Sequence, residues 1–178
     1  MVENEKDTRH EQVMAVARAM MAAARTAPKG RGIDNLEIVT VSGDDLARLA
    51  EDMRAYGERA DHQFFIRDAA NVETAEAVVL IGTRLAVFNL NCGYCGFETC
   101  AEKLEAQDIP CAFNLNDLGI ALGSAASIAA DNRIDNRVMY SVGHSALALG
   151  LLPECRAAFG IVLNCTSKSP FFDRPTHN

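Results

Sequence analysis

The sequence predicts a single α+β domain with a helix-rich middle. Three observations support this class: amphipathic helical spacing in the first half, short apolar runs that suit strands, and two long apolar helical stretches in the second half. The chain has 178 residues, of which 49% are hydrophobic. It is therefore long enough to bury a core and too apolar for a disordered chain. Since no repeat or linker interrupts it, we expect residues 1–178 to form one domain.

The elements of the first half follow from periodicity and from chain-breaking residues. Helical spacing of apolar residues predicts helices, β-branched alternation predicts a strand, and an apolar run without alternation predicts a buried strand. In chain order we predict a helix over His10–Arg25 after a polar start, a loop over Thr26–Gly32, a strand over Leu36–Val41, a helix from Ser42 to about Glu58, a helical turn over Phe64–Ala70 and a buried strand over Ala77–Gly82.

The second half is predicted to be mostly helical. Leu85–Leu90 is apolar and fits either class, and Gly150 is a suitable residue to follow a helix. The predictions are a short helix over Thr99–Ala106, a strand or bridge over Cys111–Phe113, an apolar helix over Leu118–Ala130 opened by Asp117, a charged connection over Asp131–Arg137, a second apolar helix over about Val138–Leu149, a last strand over Phe159–Leu163 and a tail without periodicity over Ser167–Asn178.

Charge and hydropathy narrow the possible functions. The chain has 17 Lys and Arg against 24 Asp and Glu, a formal net charge of −7. This balance argues against a general nucleic-acid-binding protein, which needs a basic face. No apolar run approaches the ~20 residues that span a bilayer, and the polar start has no basic and apolar regions of an export signal. We expect a cytoplasmic protein that binds neither nucleic acid nor membrane.

Four of the six cysteines lie within twenty residues, in the segment 91–111. They are Cys92, Cys95, Cys100 and Cys111, with the spacing C-x2-C-x4-C-x10-C. In a cytosolic chain of this size, clustered thiols indicate metal or redox chemistry rather than a disulfide framework. Four thiolates that converge from a tightly folded segment suit a [4Fe-4S] cluster. The start of the helix at Cys100 would also present free N–H groups to an anionic cluster.

Zinc is the main alternative for the same thiols. Cys92-Gly-Tyr-Cys-Gly96 resembles a zinc knuckle, but Cys100 and Cys111 are separated by ten residues and do not form the second knuckle of a typical structural site. A segment without metal is the third reading. The two remaining cysteines, Cys155 and Cys165, are expected to be packed as small apolar residues.

The cysteine segment resembles a known signature. Cys92-Gly-Tyr-Cys-Gly-Phe-Glu-Thr-Cys100 is similar to the Cys-Gly-x-Cys-Gly-x-x-x-Cys pattern of the four-cysteine cluster domain in corrinoid iron–sulfur proteins and electron-transport complex subunits. The fourth spacing departs from that pattern, so Cys111 is the least secure of the four ligands. The full chain resembles a small family of prokaryotic proteins described as containing a ferredoxin domain. This resemblance implies cluster binding and supplies no reaction.

A second resemblance is to nitroreductases. It lies in the helix, Ala-Pro loop and strand over 22–41, in the apolar helices over 117–149, and in the strand Phe159–Leu163 with the ending Arg174-Pro175. It implies a three-layer α+β fold with an antiparallel or mixed sheet, a homodimer formed through the helices over 117–149, and FMN as one candidate cofactor. The Arg-rich element that grips the FMN phosphate in nitroreductases has no equivalent before His10. The candidate flavin-lining residues are Pro28, Lys29, Arg31 and Arg174, whose cations are otherwise solvated surface charges.

The sequence thus supports three hypotheses about function. The first is an iron–sulfur redox protein on a nitroreductase-like scaffold, which exchanges electrons with a flavin, a small substrate or a redox partner protein. The second is a non-enzymatic cluster-binding module that acts with a partner. The third is a zinc-stabilised interaction domain.

Overall fold

The computed structural model of the protein describes residues 1–172, in which a four-stranded sheet lies between two layers of helices. The elements in chain order are α1 Glu5–Thr26, a 3-10 turn Gly30–Gly32, β1 Leu36–Val41, α2 Asp44–Ala60, α3 Gln63–Glu73, β2 Ala77–Thr83, α4 Cys100–Glu105, α5 Ala112–Asp131, β3 Asp135–Met139, α6 Tyr140–Ala148 and β4 Ala157–Asn164.

The sheet has the strand order β1-β2-β4-β3, and every neighbouring pair is antiparallel. All seven residues of β2 are buried, which explains its continuous apolar sequence. Because successive side chains of a strand point to opposite faces, β2 supplies both cores: Val79 and Ile81 face one helical layer, and Val78 and Leu80 face the other.

Helices α1 and α5 cover the first face of the sheet, and α2, α3 and α6 cover the second. The closest approach of a helix to the sheet is that of α6 to β4. A Cβ atom at Gly143 would lie only 1.9 Å from the carbonyl oxygen of Ala158, so this position admits no side chain. Different helices thus cover the two faces of the sheet, and the cysteine segment 91–111 leads directly into α5.

The predicted class, α+β with three layers, is confirmed, and the sheet is antiparallel throughout. The strands predicted over Leu36–Val41, Ala77–Gly82 and Phe159–Leu163 are present as β1, β2 and β4. The helix predicted from Ser42 is α2, which begins at Asp44, and the helix predicted over Thr99–Ala106 is α4.

Two predictions for the second half were wrong. Cys111–Phe113 is not a strand: Cys111 is the N-cap of α5, which begins six residues before Leu118. The helix predicted from Val138 begins instead at Tyr140, because the residues before it form the edge strand β3, paired with β4. The polar sequence of β3 hides this strand, since pairing with a distant strand and not local propensity decides it.

Two first-half helices are longer than predicted. The polar start joins α1, whose first turn is fixed by Asn4 Oδ1 accepting from the backbone N–H of Lys6 at 3.1 Å and by the Arg9–Glu5 ion pair. The helical turn predicted at Phe64 is the 11-residue helix α3. None of the helices within residues 1–172 combines the length and the hydropathy needed to cross a bilayer.

Candidate thiol site

The four clustered cysteines line one cavity, which we call the thiol cavity. Cys92 and Cys95 lie in the irregular segment between β2 and α4, Cys100 is the first residue of α4, and Cys111 is the N-cap of α5. Cys111 is buried and the other three are half-buried, and all four are free thiols. Three separate pieces of chain therefore contribute the four cysteines to the lining of one cavity.

Glycine conformation shapes the loop that carries Cys92 and Cys95. Gly93 and Gly96 have φ values of +73° and +87°, in the region that favours glycine, and the Gly96 N–H donates to the Gly93 carbonyl at 2.9 Å. Tyr94 and Cys95 are the two central residues of the resulting tight turn.

Asn91 fixes Cys100 by two hydrogen bonds. The Asn91 backbone N–H donates to Cys100 Sγ at 3.2 Å, and Asn91 Oδ1 accepts from the Cys100 backbone N–H at 2.8 Å. Asn91 has a φ of +47°, a conformation that Asn tolerates better than most residues. The two bonds hold the backbone and the sulfur atom of Cys100 in a fixed position beside Asn91.

Helix α4 is a single short piece held by its cap. Thr99 Oγ1 accepts from the Glu102 backbone N–H at 3.2 Å, and Glu102 Oε2 accepts from the Glu98 backbone N–H at 3.2 Å. This reciprocal pattern closely resembles a capping box and fixes the first turn, which carries Cys100. The short helix thereby holds one thiol against the cavity and leads to Lys103 one turn later.

The walls of the thiol cavity are aromatic and apolar, with one buried cation. Phe88, Phe97 and Phe113 contribute rings, and Lys103, only 3% exposed, contributes its side chain. Phe97 is half-buried in the wall. Tyr94 is 77% exposed and stacks on Phe113, with ring centroids 6.2 Å apart.

The donor set of the cavity fits an iron–sulfur cluster, since four thiols, an N–H donor to sulfur and a largely apolar lining are the features that such clusters use. Within residues 1–172, no group of three or more His, Cys, Asp or Glu side chains is arranged to hold a single metal ion. The cavity has a volume of about 10 Å³, near that of one water molecule. A cluster would therefore require the lining of the cavity to open.

The residues expected to line a flavin are engaged with backbone atoms. Lys29 Nζ donates to the carbonyls of Ala24, Arg25 and Ala27 at 3.2, 2.6 and 2.9 Å, so it closes the C-terminal end of α1. Arg31 Nη1 donates to the Phe88 carbonyl at 2.7 Å. Pro28 is exposed, and Arg174 lies outside the described residues.

The same loop is attached to the thiol cavity through Gly30. The Gly30 N–H donates to both carboxylate oxygens of Asp117, at 3.0 and 3.1 Å, and Asp117 is buried. A Cβ atom at Gly30 would lie 2.9 Å from the Phe88 ring and 3.0 Å from the Phe113 ring. The loop after α1 and the thiol cavity therefore share these two rings as a common wall.

Three residues of the site escape sequence reasoning: Asn91, Lys103 and Asp117. Asn91 precedes the first cysteine, and Lys103 follows Cys100 by three residues, the spacing that places two side chains on one face of a helix. That spacing could have indicated Lys103. No local pattern links Asp117 to Gly30, because 87 residues separate them.

The remaining cysteines stand apart from the site. Cys155 is buried against the position of Gly82, and burial raises the pKa of its thiol to about 11. Such a thiol is protonated and inert at neutral pH. Cys165 is half-buried and packs against the core between the sheet and α1.

Comparison with known proteins identifies the family of the chain. Residues 107–174 match the family described as "uncharacterized protein containing a ferredoxin domain", a range that includes Cys111 and ends beyond β4. An uncharacterized protein of Archaeoglobus fulgidus is 41% identical over 182 residues, which cover 98% of each chain. The chain belongs to this family of ferredoxin-domain-containing proteins.

Solved structures share the fold. The nitroreductase CinD from Lactococcus lactis, in complex with nicotinic acid, superposes with a TM-score of 0.61 at 14% identity over 94% of this chain and 81% of that one. A nitroreductase with bound FMN from Desulfitobacterium hafniense DCB-2 superposes with a TM-score of 0.59 at 16% identity, over 88% and 80%. The fold is thus nitroreductase-like, and the family and the fold together support a redox function.

Proposed function

We propose that the protein is an iron–sulfur redox protein that holds one [4Fe-4S] cluster through Cys92, Cys95, Cys100 and Cys111 of the segment 91–111. The observation that carries this proposal is the lining of one cavity by all four thiols. The family description, with its ferredoxin domain, supports it. When bound, the cluster supplies reversible one-electron transfer.

The chain's own residues would hold the cluster and tune it. Asn91 donates an N–H to Cys100 Sγ, which stabilises negative charge on that sulfur. Phe97 and Phe113 limit access of water to the cavity. Lys103 contributes a positive charge to the wall, which would offset the negative charge of a bound cluster. Because such a site needs reduced thiols, we place the protein in the cytoplasm.

FMN is a second candidate cofactor because the fold is that of nitroreductases, one of which contains bound FMN. The loop residues Pro28, Lys29 and Arg31 remain our candidates for flavin contacts, together with Arg174. Lys29 and Arg31 would have to exchange their bonds to backbone carbonyls for bonds to the cofactor. A flavin at this loop would lie next to the Phe88 ring and hence beside the thiol cavity.

A homodimer through α5 is also part of the proposal. The outer side of α5 exposes Leu115 and Ile120, and Cβ atoms at Gly119 and Gly123 would meet nothing within 4 Å. This apolar, unobstructed face of a helix suits a second copy of the chain. A redox partner protein would then approach the exposed loop around Tyr94. Size-exclusion chromatography with light scattering should give a mass of about twice the chain mass of 19.2 kDa.

Cysteine variants test the ligand set. Each of the four clustered cysteines is replaced in turn by Ser, and iron and sulfide are measured per chain after anaerobic reconstitution. Cys155→Ser is the matched control, because that thiol is buried away from the cavity. We expect each of the four variants to lose most of its cluster and the control to keep it. Full retention of iron and sulfide in Cys111→Ser would refute its assignment as the fourth ligand.

A further inference from the structure

A larger pocket adjoins the thiol cavity, and neither the family nor the fold assigns it a role. It has a volume of about 490 Å³, within the range of about 300–1,000 Å³ typical of small-molecule sites. Its charged lining residues are Arg84, Lys103, Asp108, Glu154 and Arg156. We call it the Lys103 pocket, because Lys103 and Val87 line both this pocket and the thiol cavity.

Lys103 is a buried cation without a carboxylate partner in residues 1–172. The only hydrogen bond of its side chain within that part of the chain is from Nζ to the Ala106 carbonyl, at 2.9 Å. An ammonium group has three N–H donors, so two of them are left for other acceptors. Because burying a charge is costly unless it is paired, these donors are suited to an anion that enters the Lys103 pocket.

A second cation of the pocket is also available. The Arg156 side chain is exposed and forms no ion pair or hydrogen bond with residues 1–172, although its backbone N–H is bound to Thr83. Arg84 is held differently: its guanidinium donates to Glu154 Oε2 at 3.1 Å and to the Asp34 carbonyl at 3.3 Å. Two unpaired cations thus face a pocket whose third cation is already neutralised.

The acidic residues limit which anions fit. With Asp108 and Glu154 counted against three cations, the lining carries a net charge of +1 on a chain of −7. Glu154 is paired with Arg84, whereas Asp108 is exposed at the rim and disfavours a bulky polyanion. The lining therefore selects a small oxyanion group that can bind between Lys103 and Arg156.

We propose that the Lys103 pocket binds a small molecule through a carboxylate or phosphate group held by Lys103 and Arg156. Lys103 also lines the thiol cavity, whereas Arg156 lines the Lys103 pocket and not the thiol cavity. Anion binding here does not require the proposed cluster, and an anion bound to Lys103 would lie one side chain away from the thiol cavity.

Calorimetric titration of the purified full chain tests this proposal. Inorganic phosphate and succinate are the two probes, titrated separately at constant ionic strength so that general charge screening is equal. We expect saturable binding of at least one probe with one site per chain. Binding of phosphate alone indicates a phosphoryl-bearing ligand, and binding of succinate alone indicates a carboxylate.

Variants locate the binding. Arg156→Gln and Lys103→Met should each weaken the affinity at least about tenfold, the loss expected for one charge-assisted hydrogen bond. Arg48→Gln is the matched control, because it removes an exposed cation from α2. Helix α2 and helix α5 lie on opposite faces of the sheet. We expect this control to leave the affinity within about twofold of the wild type. Arg156→Gln alters an exposed residue and should fold even if Lys103→Met does not. No saturable binding of either probe, or equal weakening by Arg48→Gln, would overturn the proposal. Iron analysis is independent, so failure of the cluster assignment would be visible separately.

Discussion

The packing of α6 on β4 yields the sharpest stability prediction, for Gly143→Ala. The new methyl carbon would lie 1.9 Å from the carbonyl oxygen of Ala158, whereas ordinary contacts begin at 3.4 Å, so α6 has to retreat by about 1.5 Å. That movement separates the fully buried Val142 and Ala146 from the sheet. Overpacking of this severity against backbone costs about 3 kcal/mol or more. For a chain of this length, we expect the midpoint of thermal unfolding to fall by about 6–12 °C.

The assay is thermal unfolding followed by circular dichroism, with Ser145→Ala as the matched control on the same helix. Ser145 Oγ is buried and has no hydrogen-bond partner within residues 1–172, so its removal should leave stability unchanged or raise it by about 1 kcal/mol. Of two substitutions by Ala two residues apart, only Gly143→Ala is thus expected to destabilise the protein. A Gly143→Ala midpoint within 2 °C of the wild type would refute the close packing of α6 on β4.

Three further predictions concern the site and its surroundings. Asp117→Ala removes the carboxylate that accepts from Gly30 and should cost about 1.5–3 kcal/mol in urea unfolding; unchanged stability would show that this contact does not hold the loop. Thr99→Ala removes the side-chain cap of α4, the helix that carries Cys100. We expect helix stability to fall by about 0.5–2 kcal/mol and the iron retained per chain to decrease. Full retention of iron would show that the cap is dispensable. Burial raises the pKa of Cys155 from 9.0 to about 11, so the folded state loses stability as the pH rises from 9 to 11. Urea unfolding of the reduced protein should show this loss, and Cys155→Ala should abolish it. An equal slope in both proteins would contradict it.

Local sequence patterns predict those parts of the fold in which local and tertiary preferences agree. The apolar run of β2 predicts a buried strand, and all seven of its residues are buried. The edge strand β3 is missed because its sequence is polar and its pairing partner, β4, lies more than twenty residues away. The start of α5 is missed because Cys111–Phe113 suits a short strand and Asp117 suits the start of a helix, whereas the helix begins after Cys111.

The candidate site is likewise predictable from local sequence only in part. The spacing predicts that the four cysteines act together, and the structure places all four in the lining of one cavity. Spacing does not reveal that Lys29 and Arg31 bind backbone carbonyls, since that depends on the end of α1 and on the distant Phe88. Nor does it reveal that Lys103 is buried, because lysine is rarely buried without a partner. The unpaired Lys103 is therefore the residue by which the structure adds most to the sequence.

The most direct test of the central claim is metal and sulfide analysis of the protein purified without oxygen, together with its visible spectrum. The account predicts a brown protein with broad visible absorbance and about four iron and four sulfide per chain, as expected for a single cubane cluster. Any FMN is released by denaturation and measured in the same sample. A colourless protein that contains zinc and neither iron nor sulfide would contradict the account.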